Sequence, residues 1–598
     1  MNIRLNMWRP GGFSLALVLV FTGILFLLLS GLLLWTTTNG NLTQRYNEYY
    51  DSVAASEAAT EKVVAAVAAD FQRLGAGGVD ANLSSYHANV PTQSEVGEWG
   101  NYQFNDPSGI QNATYVSKLT SWQYTDLKWK YTGFKGYASD YRIVSNARNT
   151  VSRYAMTSAV RQEIQIASIP LFEFAVFYAL DMEICPGSGN MAFNGRVHCN
   201  GTIYCQPAMR TVTFLDHVTA AQKILPTASP NDPLIRTPGT IVFQGEHDWN
   251  ANSLNLPLGT NNSPSLLHAL VEVPPGSESP SSLLGQQRYY NKADLIILVS
   301  NTTAVAKSGS YNNFAITIPW TNICDSNTVA VSKTKKRGRG AGGRPATTNS
   351  TDGVVGTNVT FFNKRENASV QTTEIDINQL LQKYSYLKSA LGRDITMIYV
   401  GDFRTQPANT ESGVRIVFGQ ALPPYGLTIA TPNPLYIEGN YNVPDAYLGT
   451  TNTSASLPAS VVADAITLLS DNWDDTNSAS SLGSRAATSI TVNSAVIAGI
   501  VPSGGGYYSG GVENFFRLLE DWSSQTLTFN GSIVVLFPSQ IATAPWGLVP
   551  NNQVFGIPIR AYGFDVNFKD YTKLPPGTPE SRTLIRSQWG ITQANSTL

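Results

Sequence analysis

RPGGFSLALVLVFTGILFLLLSGLLLW, Arg9 to Trp35, decides how the rest of this 598-residue chain is read. From Phe13 to Trp35 the only polar side chains are Ser14, Thr22 and Ser30. As a helix rising about 1.5 Å per residue, the run covers roughly 34 Å, enough to cross a hydrocarbon core of about 30 Å. A cleavable secretory signal has an apolar core of only about 7–15 residues that ends in small residues. This run is longer and ends in Leu34-Trp35, so it reads as retained in the membrane. Arg4 and Arg9, with no acid before the span, put the N-terminus in the cytoplasm and the body outside. Trp8 and Trp35 flank the run where interfacial aromatics are expected.

Helical character does not stop at the membrane. After TTTNGNLT, Tyr49, Val53, Ala59, Val63, Val64, Val67 and Phe71 recur three or four residues apart, which predicts an amphipathic helix over 44–74. Gly75, Gly77 and Gly78 are expected to end it. A short basic leader closing on Gly12, then Phe13, then a long apolar helix resembles the prepilin signal of type IV pilins. SVAASEAATEKVVAAV (52–67) is similar to the alanine-rich, glutamate-containing stretch behind the membrane helix of PilX-like pilus-assembly proteins. The resemblance implies processing between Gly12 and Phe13. At Leu17 it departs from most major pilins, which carry Glu five residues into the mature chain; PilX-like and some other minor pilins also lack that Glu.

The resemblance continues over most of 172–568. It is carried by FAVFYALDMEICPG, NGRVHCNGTIY, GQQRYYNKADLIILVS, TEIDIN, GLTIATPNPLYIEGNYN, ADAITLLSDNW and SGGVENFFRLLEDWSSQTLTFNGSIVVLF. These are similar to large C-terminal regions attached to PilX-type N-termini. The family brings a pilus-associated or envelope-exposed role, and no reaction.

Composition agrees with an exported β protein. Only 14% of residues are charged, Asn, Ser and Thr are spread throughout, and there are 49 glycines. A net charge of −2 argues against a general nucleic-acid binder. Cys185, Cys199, Cys205 and Cys324 allow two disulfides in three connectivities, and an oxidising compartment favours at least one bridge.

The chain divides into a leader (1–12), a transmembrane helix (13–35), an extracytoplasmic amphipathic helix (36–75), a polar aromatic-rich region (76–165), a β-rich body (166–570) and a C-terminal tail (571–598). The aromatic region, with Trp99, Tyr102, Tyr115, Trp122, Tyr124, Trp129 and Tyr131, reads as short strands, and 147–166 as a helix or a strand pair. In the body, GRVHCN (195–200) lies above GTIYCQ (201–206), so Val197 stands six residues before Ile203 and Cys199 six before Cys205. Short strands with Asn-Gly corners suggest parallel β-solenoid coils, with an antiparallel meander as the alternative. Helices are expected near 377–391 and 511–522, and a disordered basic loop at 330–353.

Few residues invite chemistry. His198 with Cys185, Cys199 and Cys205 lacks the paired knuckle of structural zinc. Glu246-His247-Asp248 and Asp216-His217 resemble acid–base pairs, yet no nucleophile elbow accompanies them. Asp471, Asp474 and Asp475 lack the order of a calcium loop. SGGGYYSGG (503–511) lacks the Gly-Lys-Ser/Thr of a phosphate loop. The basic loop could meet an anionic surface.

The expected fold class is α+β, mainly β: a long pilin-like transmembrane helix followed by a large β-rich body, a parallel β-solenoid with inserted helices and loops. The expected function is that of a PilX-like minor pilin, a single-pass inner-membrane protein without catalytic, metal or cofactor residues. Its expected partners are the inner membrane, other pilin-like subunits or the pilus assembly machinery, and surface polysaccharide, with no specific nucleic acid. The alternative is an envelope-anchored adhesin, or a polysaccharide-binding or polysaccharide-acting β-helix protein.

Overall fold

The computed structural model describes residues 13–259, 262–309, 316–324, 353–546 and 554–596. Gly12 of the expected processing site, and 330–352 of the expected basic loop, lie outside the described residues.

One helix, α1, runs from Phe13 to Ala81. It does not end at Gly75. That residue takes φ 71°, a left-handed conformation that glycine adopts without a side-chain penalty, and the helix resumes beyond it. From Ser52 onward one face is buried: Val53, Ser56, Ala59, Thr60, Val63, Val67, Phe71, Gly75 and Val79 follow the 3.6-residue period.

That face packs on an antiparallel sheet. Lys135–Asn149 and Thr157–Pro170 form its long central pair, with Tyr141 opposite Ile164. Tyr102–Asn105, Tyr115–Lys118 and Gln123–Asp126 pair with the first of these strands. Of the alternatives read for 147–166, the strand pair forms. The segment expected as a C-terminal tail instead supplies Glu580–Thr592, which pairs with Thr157–Pro170, with Leu584 opposite Ile166. Alternation explains this: Ser581, Thr583 and Ile585 are buried, a pattern a free tail would not need. Val63, Val67, Phe71, Tyr141, Ile143, Ile164 and Ile166 form the shared core.

The rest of the chain is a large β-rich body of mixed sheets, and its first part is built from three parallel ladders. In the first, Val176, Val197 and Val218 are register partners, followed by His247. In the second, Met182 pairs with Ile203 and Ile203 with Ile224. In the third, Phe193, Phe214 and Phe243 align, their rings stacked with centroids 5.2 Å apart at each step. The residue numbers advance by 21 at each of the first steps, so the repeat is 21 residues. The six-residue spacing of Val197 and Ile203 has a different meaning. They lie in different sheets, because Asn200-Gly201 turns the chain from one ladder to the next. Gly201 is needed there, since a Cβ would sit 2.3 Å from Asp181 Oδ1.

Two longer parallel ladders follow. Leu295–Val299, Met397–Asp402, Leu427–Ala430, Ala459–Ala463, Ile490–Ala498 and Thr526–Val535 join in that order. The last pairs with the first strand of the body, Ile533 opposite Val176, so both groups share one 13-stranded sheet. The other ladder aligns Ile375, Ile416, Ile437, Leu468 and Leu518, all buried. The expected helix near 377–391 is two short helices, Ile377–Gln382 and Tyr384–Leu391. The one expected at 511–522 is absent: Val512–Asn514 is a single 3-10 turn, and Arg517–Leu518 joins a ladder.

Candidate functional site

The helix α1 is the feature that sets this chain apart chemically. Every residue from Phe13 to Asn47 is exposed, including Phe21, Phe26, Leu27 and Leu34, and no other described helix is long and apolar enough to cross a membrane. Such a run is costly in water and favourable in lipid. Its few hydroxyls are satisfied within the helix. Thr22 Oγ1 donates to Val18 O (2.6 Å), Ser30 Oγ to Leu27 O (3.0 Å) and Thr36 Oγ1 to Leu32 O (2.8 Å). Ser14 aside, the hydroxyls of the run therefore demand no water. Phe13, the first described residue, is 73% exposed, and Leu17 is exposed beside it.

From Asn41 onward the helix is fastened to the rest of the chain by polar contacts along its length. Tyr154 OH donates to Asn41 Oδ1 at 2.9 Å, and Ser152 donates to Glu48. Gln162 Nε2 donates to Thr60 Oγ1 (3.0 Å) and Glu61 Oε1 (2.8 Å), and Arg586 Nη2 reaches Glu61 Oε2 at 2.7 Å. The Arg586 guanidinium holds the Glu61 carboxyl below its usual range, against the opposing pull of partial burial. Near the kink, Lys118 Nζ and Tyr141 OH both donate to Asp80, at 2.7 and 2.8 Å. These partners come from strands far apart in sequence, which is why spacing along the helix alone does not reveal them.

The aromatic side chains of the 99–131 region mostly serve packing. Trp122 lies 5.9 Å from Phe71 and stacks on Tyr137 at 6.2 Å, while Tyr124 and Tyr137 both meet Tyr571. Trp129 is the exception, 66% exposed.

The remaining candidates resolve into structural roles. His198 is buried, with Nδ1 2.7 Å from Thr219 Oγ1 and Nε2 3.0 Å from Asn200 Oδ1, and it stacks on Phe177. Burial lowers it to about 4, so it stays neutral. Cys185, Cys199 and Cys205 are buried thiols and form no disulfide; Cys324 is half-buried, bridged through its backbone to Val355. The expected bridge is thus not formed in this structure; Cys199 and Cys205 stand on strands of different sheets. Cys199 Sγ instead donates to Leu180 O at 3.0 Å. Among the described residues no group of three or more His, Cys, Asp and Glu is placed to hold a metal ion.

Asp216, His217 and Glu246 do meet, with His217 Nδ1 3.1 Å from Asp216 and Nε2 3.3 Å from Glu246, just before two neighbouring strands of the first ladder. Among the described residues no hydroxyl or thiol is hydrogen-bonded to that imidazole. Asp475 accepts from Arg415 Nη1 (2.7 Å) and Trp473 Nε1 (2.8 Å), Asp474 caps the turn at Thr476, and Asp471 accepts from Asn440. Ser503 and Ser509 fold the glycine-rich segment back on itself: Ser503 Oγ accepts from Ser509 N and donates to Glu183.

The fold also assembles a charge cluster that spacing did not suggest. Arg415, 1% exposed, is bound by Glu374 (2.7 Å), Asp475 (2.7 Å) and Glu438 (3.3 Å). Register explains it, since Glu374 and Arg415 are direct partners on neighbouring parallel strands. Burial opposes the charge, but three carboxylates outweigh it and raise the guanidinium's pKa. The guanidinium is closed off from solvent, while Asp475 stays partly exposed.

No family model and no curated protein matches this chain. Among solved structures, the crystal structure of the competence-associated pilin ComZ from Thermus thermophilus is similar at 11% identity and a TM-score of 0.29. That alignment covers 80% of this chain and 87% of ComZ.

Proposed function

We propose that this chain is a membrane-anchored, minor pilin-like structural protein that associates with a type IV pilus or its assembly machinery and carries a β-rich body outside the cytoplasm. The observation that supports this reading is the division of α1. Its first half is wholly exposed and apolar as far as Trp35, and its second half is clamped to a sheet by buried side chains and ion pairs. A continuous helix of this kind can sit in a bilayer at one end and hold a folded body rigidly at the other. In this reading the parallel ladders are the turns of a β-solenoid, an elongated scaffold that would project from the helix. We assign the chain no reaction, metal or cofactor. The basic residues before Phe13 orient it with its N-terminus inside.

The test is fractionation of cells producing the full chain, with filaments sheared from the surface. The protein should stay in the membrane pellet through alkaline extraction and be found with sheared filaments. Leu25→Arg with Leu28→Arg, at the middle of the apolar run, should abolish retention. A wild-type chain recovered in the soluble fraction contradicts the proposal.

A further inference from the structure

The two ends of the stacked ladders are finished differently. At one end, Leu295–Val299 is covered by the antiparallel strand Ala304–Ser308, which in turn pairs with Thr317–Ile318. The helices beside it place Leu380, Leu387 and Leu391 in the same apolar core. That end is capped by the chain itself.

The other end is the turn that holds Ile224–Leu225, Thr240–Phe243 and His247–Trp249. Each of these strands is the last of its ladder and pairs on one side only among the described residues. The columns beneath them are closed: Ile203, Val212, Phe214, Val218 and Ala220 are at most 1% exposed. Their successors are not. Ile224, Ile241 and Phe243 are half-buried, His247 is exposed and Trp249 is 56% exposed. Within this turn the stretch from Leu225 to Thr240 is eight residues longer than the stretch from Tyr204 to Thr211 beneath it, and the added loop carries Leu234 and Ile235, the latter fully exposed. Val218 N bonds Glu246 O at 2.9 Å, and in a parallel ladder alternate residues of the edge strand turn both backbone groups outward. Here those residues are His247 and Trp249. Open strand edges beside exposed apolar side chains are a template for further pairing, and stacked-repeat proteins ordinarily cover such an end.

We propose that this open end docks against the same end of a second copy of this chain, continuing the sheets across a twofold axis. Two copies of one strand related by a twofold run antiparallel, so the edge can pair with itself and needs no second sequence. The rim carries both signs, Lys223 against Glu246 and Asp248, all exposed, so a twofold can set opposite charges across the seam. A membrane anchor holds every copy in one layer, which makes another copy the polypeptide at highest local concentration. This inference rests on the anchored, stacked-turn reading proposed above.

The test uses the full chain in detergent micelles. Asp248→Cys, at the open end, should form an interchain disulfide dimer on mild oxidation, and Thr302→Cys, at the capped end, should not. Adding Trp249→Lys should cut the Asp248→Cys dimer at least tenfold. A pair within one chain, Thr219→Cys with Asp248→Cys, checks the stack itself, because these residues are register partners. It should close with or without Trp249→Lys, which also shows that the variant is folded. If the intrachain pair closes while Asp248→Cys stays monomeric, or while Thr302→Cys dimerises equally well, docking is overturned. If the intrachain pair fails to close, the stacked-turn reading fails, and the inference with it.

Discussion

Arg582 and Phe71 are 511 positions apart in the chain, yet the guanidinium of one donates to the backbone carbonyl of the other at 3.1 Å. The same nitrogen donates to Gln72 O at 3.0 Å, and Gln72 Nε2 returns a bond to Arg582 O at 2.6 Å. The last strand thus closes over the helix just before its kink at Gly75. Carbonyls left open by the kink gain a donor that the helix itself cannot supply.

Arg582→Ala should leave those two carbonyls without this donor and destabilise the helix–sheet unit by about 1–3 kcal/mol. Thermal unfolding of the full chain in detergent, with and without the substitution, measures it. An unchanged midpoint would show that water replaces the guanidinium at no cost.

Phe214 lies between Phe193 and Phe243 in the third ladder and is 1% exposed. Phe214→Ala removes the middle ring of the column and should cost about 3–5 kcal/mol. Limited proteolysis should show faster cleavage between 176 and 249, with the helix-bearing sheet protected as before.

Glu183 is buried, accepts from Ser503 Oγ at 2.8 Å, and is raised to about 7, first by burial and further by the nearby carboxylates of Asp232 and Glu513. The folded state therefore binds a proton that the unfolded chain releases near pH 4.5. Stability from this group is fully present below that pH and is lost as the pH rises through about 7. Glu183→Gln keeps an acceptor for Ser503 without the charge. The variant should match the wild type at pH 4.5 and exceed it by on the order of 2 kcal/mol at pH 8, measured by denaturant titration. Equal stability at pH 8 would contradict a strained carboxylate.

Cys185, Cys199 and Cys205 are buried, and burial raises their pKa, Cys185 to about 12. Thiolate is scarce and access is closed, so a maleimide should label these three only after unfolding without reductant. Mass spectrometry of the labelled peptides reads the outcome. A disulfide-linked pair among them would restore the bridge that the sequence favoured.

The sequence makes α1 legible because two independent periodicities are written in it, an unbroken apolar run and then a 3.6-residue stripe from Val53 to Phe71. Strand content is legible too, through short apolar runs between Gly, Asn and Pro corners. What the sequence hides is which strand lies beside which. The 21-residue repeat rests on a handful of positions such as Val176, Val197 and Val218, and a closer six-residue echo at Val197 and Ile203 masks it. Val512, Phe515, Phe516 and Leu519 fit a helical stripe, but Phe516 packs on Phe529 and Tyr562 from a turn instead. Tertiary contacts outweigh local spacing there. The Arg415 cluster and the Arg582 clamp depend on register between distant strands, and no local pattern encodes that.

The most direct test of the central claim is the N-terminus of the protein recovered from membranes, read by mass spectrometry. A pilin-like chain should begin at Phe13, with a methyl group on its amine, so that the apolar helix starts at the first residue. A chain that begins at Met1 in every membrane and filament fraction would contradict pilin-type processing and leave α1 as an anchor alone.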